Sequence, residues 1–158
     1  EIEVQESLKN RHLVRLKFWE QFINASNQVN QLFSNNSPSK ESWIGKGIGM
    51  SGVNINLAMS NNYCRSEIIF NRGSQEENKE LYDFMYQMKD KIENDFGGQL
   101  TWERMDDKVT CRVKAQLDGV SYFEESDWKK MNEFLIDVSV RMERAFRSEE
   151  HTSERVFN

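Results

Sequence analysis

Cysteine is nearly missing from this sequence, with only Cys64 and Cys111 among 158 residues. Two thiols are too few for a disulfide framework. Both fall in apolar, strand-like runs where small buried thiols are common, so we read them as reduced and structural. No apolar run approaches the length that spans a bilayer, and no signal-peptide succession of charged, apolar and small residues opens the chain. A cytoplasmic protein without a membrane partner is the expectation. Excess positive charge is missing too: 21 Lys and Arg stand against 26 Asp and Glu, a net charge of −5, so no global field attracts polyanions and any nucleic-acid contact must use a local patch. His12 and His151 are far apart and lack metal-ligand company or a Ser or Cys partner, which argues against a hydrolase triad. No internal repeat is found. Glu1 stands where an initiator Met would not normally have been trimmed, so a fragment of a longer chain is expected.

What is present reads as one α+β domain over residues 1–158. From Ser7 to Phe33 there is no Pro or Gly, and Leu8, Leu16, Trp19, Phe22, Ile23, Val29 and Phe33 recur at helical spacing, predicting a helix over 7–34. The turn formers of 34–39 surround the only proline and end it. A sheet is expected over 42–117. Its first part is the glycine-punctuated stretch Ser42–Gly52, then a strand in which Val53, Ile55, Leu57 and Met59 alternate with Asn54, Asn56 and Ala58. Asn61 and Asn62 turn the chain into a second strand from Tyr63 to Phe70. An inserted helix over 75–96 begins at a capping box of Ser74 and Glu77, carries Leu81, Phe84, Met85, Met88, Ile92 and Phe96 on one face, and stops at Gly97-Gly98.

A second hairpin follows. With Asp106-Asp107 as a two-residue turn, Trp102 faces Cys111 and Leu100 faces Val113, while Glu103 faces Thr110 and Thr101 faces Arg112. Apolar then pairs with apolar and polar with polar, a match that a one-residue slip destroys. A last helix over 126–147 carries Trp128, Met131, Leu135, Val138, Met142 and Phe146, and a tail over 148–158 has no apolar period. The fold class expected is α+β, a mainly antiparallel sheet of four to five strands with three helices packed mostly on one face.

Several motifs invite chemistry and have plainer explanations. Gly47-Ile-Gly-Met-Ser-Gly52 spells a dinucleotide fingerprint, with Glu67 where a ribose-binding acid would stand, but a strand and not a helix follows it. A turn or close backbone packing beside Trp43 is the expectation there. Asp106-Asp-Lys108 matches half of a metal-dependent nuclease site, yet sits at a turn where Asp is favoured for its backbone tolerance. Arg65, Arg104, Lys108, Arg112 and Lys114 bring positive charge to the strands, with Trp43 and Tyr63 as stacking surfaces of the kind single-strand binders use. Cross-strand ion pairs with Glu67 and Glu103 are the plainer account of the same cations. No cofactor or metal is called for.

The run Leu100-Thr-Trp-Glu-Arg-Met-Asp-Asp-Lys108 with Arg112, together with Asn78-Lys79, Lys91-Ile-Glu93, Phe96-Gly97 and Trp43 with Ser51-Gly52, resembles domain of unknown function family 4268. The likeness spans Arg11 to Phe146. Met105 stands where Leu is usual, a volume-conserving exchange. The resemblance implies a prokaryotic domain often found C-terminal to a restriction-endonuclease-like nuclease, so the implied partners are such a domain in the same parent chain, and DNA. It brings no catalytic residues with it.

Three functional readings follow. The first is a non-catalytic accessory domain of a nuclease-like, DNA-associated protein, contacting nucleic acid or positioning a partner domain, with Trp43, Arg65, Arg104, Lys108 and Arg112 as the nucleic-acid-binding candidates. The second is a protein-interaction or homodimerisation module using the first helix and the tail. The third is an enzyme holding a metal with Glu67, Asp106 and Asp107.

Overall fold

A computed structural model describes the backbone of residues 2–157 and the side chains of residues 7–147. Helix α1 (Ile2–Asn27) is followed by strands β1 (Trp43–Gly47), β2 (Val53–Met59) and β3 (Tyr63–Phe70), helices α2 (Gln75–Tyr86) and α3 (Lys89–Phe96), strands β4 (Thr101–Glu103) and β5 (Cys111–Asp118), and helix α4 (Trp128–Phe157). The strands form one open sheet in the order β1-β2-β3-β5-β4. The class is α+β with an antiparallel sheet, as the alternation of apolar residues predicts.

The register can be read from single backbone bonds. Met59 N–H donates to Ser42 O, and Ile48 N–H to Val53 O, so Trp43 stands opposite Ala58. Ser60 N–H donates to Tyr63 O, and Asn71 N–H to Gly52 O, so Ala58 stands opposite Arg65. β4 pairs with β5 through Thr101↔Lys114, Trp102↔Val113 and Glu103↔Arg112.

The chain divides into two compact units. The first comprises Glu1–Ile44, Leu57–Arg65 and Gln116–Ile136. Its core is aromatic: Phe18 meets Trp19 and Trp128 edge-on at 5.1 and 5.5 Å, and Phe22 meets Phe33 at 6.0 Å. Indoles bury well only when the N–H finds an acceptor. Trp19 Nε1 donates to Glu41 O at 2.9 Å, and Trp128 Nε1 to Tyr122 O at 2.8 Å. The side-chain amides of Gln21 and Asn132 exchange two hydrogen bonds and tie α1 to α4.

The second unit comprises Gly45–Asn56, Ser66–Ala115 and Asp137–Asn158. Val53, Ile55, Ile68, Phe70, Leu81, Met85, Ile92, Val113, Met142 and Phe146 are buried in it. Trp102 closes the cluster, touching Tyr82, Tyr86 and Phe146. Glu93 steers the entry to β4, its carboxylate accepting from Leu100 N–H at 2.8 Å and Trp102 Nε1 at 3.2 Å. Ser74 caps α2 as its spacing with Glu77 predicts, accepting from Glu77 N–H.

Four expectations are corrected. The first helix ends at Asn27, not at residue 34: Asn30 Oδ1 accepts from Leu32 N–H, a local turn that competes with helix, and this lets Phe33 fold back onto Phe22 while Val29 is left exposed. Leu8 and Leu16 are also exposed; the buried stripe is Phe18, Trp19, Phe22 and Ile23. The single helix over 75–96 is two, so the α-helices among the described residues number four: Met88 N–H turns to Met85 O, a tighter bond than the helical one, and breaks the run. The last helix continues past residue 147 through Phe157, so the backbone of the tail is helical, while the side chains of 148–158 lie outside the described residues.

Candidate nucleic-acid interface

The β4–β5 hairpin keeps the expected faces but not the expected turn. Trp102 pairs with Val113 instead of Cys111, a slip of two residues that preserves every inward and outward assignment. The loop is therefore Arg104–Thr110 rather than a two-residue turn at Asp106-Asp107. Its cause lies on α2. Lys79, only 7% exposed, donates from Nζ to the carbonyls of Arg104 at 2.6 Å, Met105 at 2.8 Å and Thr110 at 2.9 Å. Beside it Asn78 donates from Nδ2 to Val109 O at 2.9 Å and accepts from Arg72 N–H at 2.6 Å. An ammonium has three donors, and here the backbone supplies three acceptors. Met105 is held at φ 54° to present its carbonyl. Cys111 Sγ lies 3.5 Å from Asn78 O in the same packed corner; burial pushes this thiol up, opposed by Lys79. Burial pushes the Cys64 thiol up to about 12. Neither is a poised nucleophile.

The five candidate residues fall in both units. In the second, Arg104 forms a two-pronged pair with Asp83, at 2.9 and 3.1 Å, and a further pair with Asp106; these hold its guanidinium above its ordinary pKa. Arg112 Nε donates to Glu103 at 2.7 Å, with Glu67 at 3.7 Å, and Lys114 reaches Glu103 at 3.4 Å. Burial raises the Glu103 carboxyl, but Arg112 and Lys114 together outweigh it and hold the group below its ordinary range. Lys108 is exposed on the loop. Ordinary cross-strand pairs thus account for much of the hairpin's charge.

In the first unit, Trp43 is 50% exposed, and Arg65 lies over the Tyr63 ring at 5.1 Å. Only Ala58 stands between Trp43 and Arg65 in their row across β1, β2 and β3. Sequence reasoning missed Arg11 and Arg15. The cue was present: they lie four and eight residues before Trp19, on the line that carries the core stripe toward the start of α1.

The glycine motif is a turn, as expected. Gly49 and Gly52 have φ of 111° and 77°, and a Cβ on Gly52 would stand 2.7 Å from Arg72 Cα. Strand β2 follows directly, so no helix N-terminus meets the loop. Among the described residues no group of three or more His, Cys, Asp or Glu is placed to hold a metal ion. Glu67 faces Arg112 while Asp106 faces Arg104. No described helix is long and apolar enough to cross a membrane.

The architecture is that of an α+β domain with a five-stranded antiparallel sheet. A family model described as a domain of unknown function, DUF4268, matches residues 14–149, and the chain belongs to that family. No curated protein and no solved structure matches the chain. The residues carrying the resemblance include those that meet around Lys79: the Asn78-Lys79 pair on α2 and the Leu100–Lys108 run whose carbonyls it binds.

Proposed function

We propose that the chain is a non-catalytic accessory domain that contacts single-stranded nucleic acid across the β1–β3 face of its first unit. The observation that carries this reading is the row Trp43–Ala58–Arg65, with Tyr63 under the guanidinium. An exposed indole provides a stacking surface for any base, and a neighbouring arginine provides a contact for the phosphate that follows it. In the second unit Arg104 and Arg112 are engaged by carboxylates, so a phosphate there must compete with Asp83, Asp106 and Glu103. Lys108 remains as an outlying contact. The parent protein would be DNA-associated, with this domain presenting a strand or positioning a nuclease-like neighbour.

The test is fluorescence anisotropy with a labelled oligothymidylate. Trp43→Ala and Arg65→Ala are each expected to weaken binding by roughly tenfold, the effect of losing one stacked base or one charge-assisted contact. Equal binding by both variants and the parent chain contradicts the reading.

A second reading is favoured by a separate observation. Leu8, Leu13 and Leu16 on α1 are 42%, 55% and 38% exposed, which suits a protein-interaction or dimerisation module. Sedimentation over a range of concentrations separates the two, a constant monomer mass counting against self-association.

A further inference from the structure

A recess in the first unit, of about 390 Å³, is lined by Arg11 and Arg15 of α1, by Ser60 and Asn62 of the β2–β3 turn, and by the rings of Tyr63 and Tyr122. Its cations are unusual in their surroundings. The Nε atoms of Arg11 and Arg15 are shielded from solvent and have no hydrogen-bond acceptor among the described residues. Arg15 Cζ sits 5.5 Å from the Tyr122 centroid, and among the described residues its guanidinium has one long bond, Nη1 to Lys40 O at 3.4 Å. No carboxylate lines the recess among the described residues.

Four physical points converge. A buried guanidinium N–H without an acceptor is costly, and such groups are normally satisfied by protein, water or an ion. Two arginines four residues apart on a helix repel each other, and among the described residues this pair has no acidic neighbour in the recess to offset the repulsion. Guanidinium groups with planar, forked donors match phosphate oxygens better than any other side chain does. The Tyr122 and Tyr63 rings are already covered by Arg15 and Arg65, which orients those cations and cuts the entropy that binding would otherwise cost.

We propose that this recess binds a phosphoryl group, held between Arg11 and Arg15 with the polar Ser60–Asn62 turn closing the other side. The recess shares Tyr63 with the Trp43–Arg65 row but uses different cations, Arg11 and Arg15, so orthophosphate binding here can be read independently of nucleic-acid recognition there. Two sources present the same chemistry: a small free phosphate, and the phosphorylated end of a nucleic-acid strand.

The experiment uses the 158-residue chain. Orthophosphate is titrated calorimetrically in a low-salt chloride buffer, and anisotropy compares an oligothymidylate bearing a 5′-phosphate with the same strand ending in a 5′-hydroxyl. Orthophosphate is expected to bind, and Arg11→Gln to weaken it at least about tenfold, as loss of a charge-assisted contact predicts. Where Arg11→Gln fails to fold, Arg11→Lys keeps the charge, loses Nε, and is expected to weaken binding too. Tighter binding of the 5′-phosphorylated strand, lost in the Arg11 variant, assigns the source to a strand end. Orthophosphate binding with no preference between strands assigns it to a free phosphate. If orthophosphate and the phosphorylated strand both bind without any effect of Arg11, or neither binds, the proposal is overturned.

Discussion

Lys79 Nζ lies 2.9 Å from the carbonyl oxygen of Thr110, joining the first turns of α2 to the loop residue just before β5. With its bonds to Arg104 and Met105 it spans both ends of a seven-residue loop. Lys79→Met keeps most of the apolar stem and removes the charge, leaving three carbonyls without their donor. The expected loss is about 3 kcal/mol, in the range for a buried charged group stripped of its bonds. Urea unfolding measures it. Amide exchange should show the loop over 104–110 opening before the rest of the sheet.

Two glycines with similar backbone angles should respond differently to the same change. Gly52 and Gly119 have φ of 77° and 78°. A Cβ at Gly52 would meet Arg72 Cα at 2.7 Å and Asn71 O at 2.8 Å, whereas one at Gly119 meets nothing within 4 Å. Gly119→Ala should cost about 1 kcal/mol of backbone strain. Gly52→Ala adds a steric clash with backbone that cannot move aside, and thermal unfolding should show a loss at least about twice as large.

At high pH the buried thiol becomes a liability. Cys64 is pushed by burial from 9.0 to about 12, so folding favours its neutral form. Stability from this group is complete below pH 9.0 and declines as pH rises toward about 12. Tyr82, raised to about 12 mainly by burial, acts in the same direction. Cys64→Ala removes the thiol's share, so its urea midpoint should fall less steeply between about pH 9 and pH 11 than that of the parent chain. Parallel pH profiles contradict the assignment.

Glu103 works with the opposite sign. Arg112 and Lys114 outweigh the effect of burial and hold its carboxyl below the ordinary 4.5. A depressed carboxyl contributes stability above its unfolded pKa and loses it as pH falls through the folded one. Glu103→Gln should lower stability at neutral pH and make the profile flatter under acid conditions. Unfolding midpoints measured from neutral pH down into the carboxylate range check both.

Much of the fold was legible because sheet alternation fixes faces strongly. Trp102, Cys111 and Val113 were assigned to the core side and Glu103 and Arg112 to the other, and this survived a two-residue slip because the period of a strand is two. The slip itself was not legible. Asp106-Asp107 has good turn chemistry, and only a lysine 25 residues earlier, bonding to Arg104, selects the longer loop. The break between α2 and α3 carries no glycine or proline to mark it. The end of α1 was missed because Phe33 falls in helical phase with Phe22 while reaching it through a turn. For the candidate interface, sequence showed which residues were charged but not which were already matched. Only the fold places Asp83 beside Arg104 and Glu103 beside Arg112.

The most direct test of the central claim is the salt dependence of oligothymidylate binding by the intact chain. Contact through arginine and an exposed indole predicts affinity that falls linearly in log–log form with added salt, with a slope near −0.7 per phosphate contacted, together with quenching of Trp43 fluorescence that Trp43→Phe removes. No binding at low salt, or binding indifferent to salt, would contradict it.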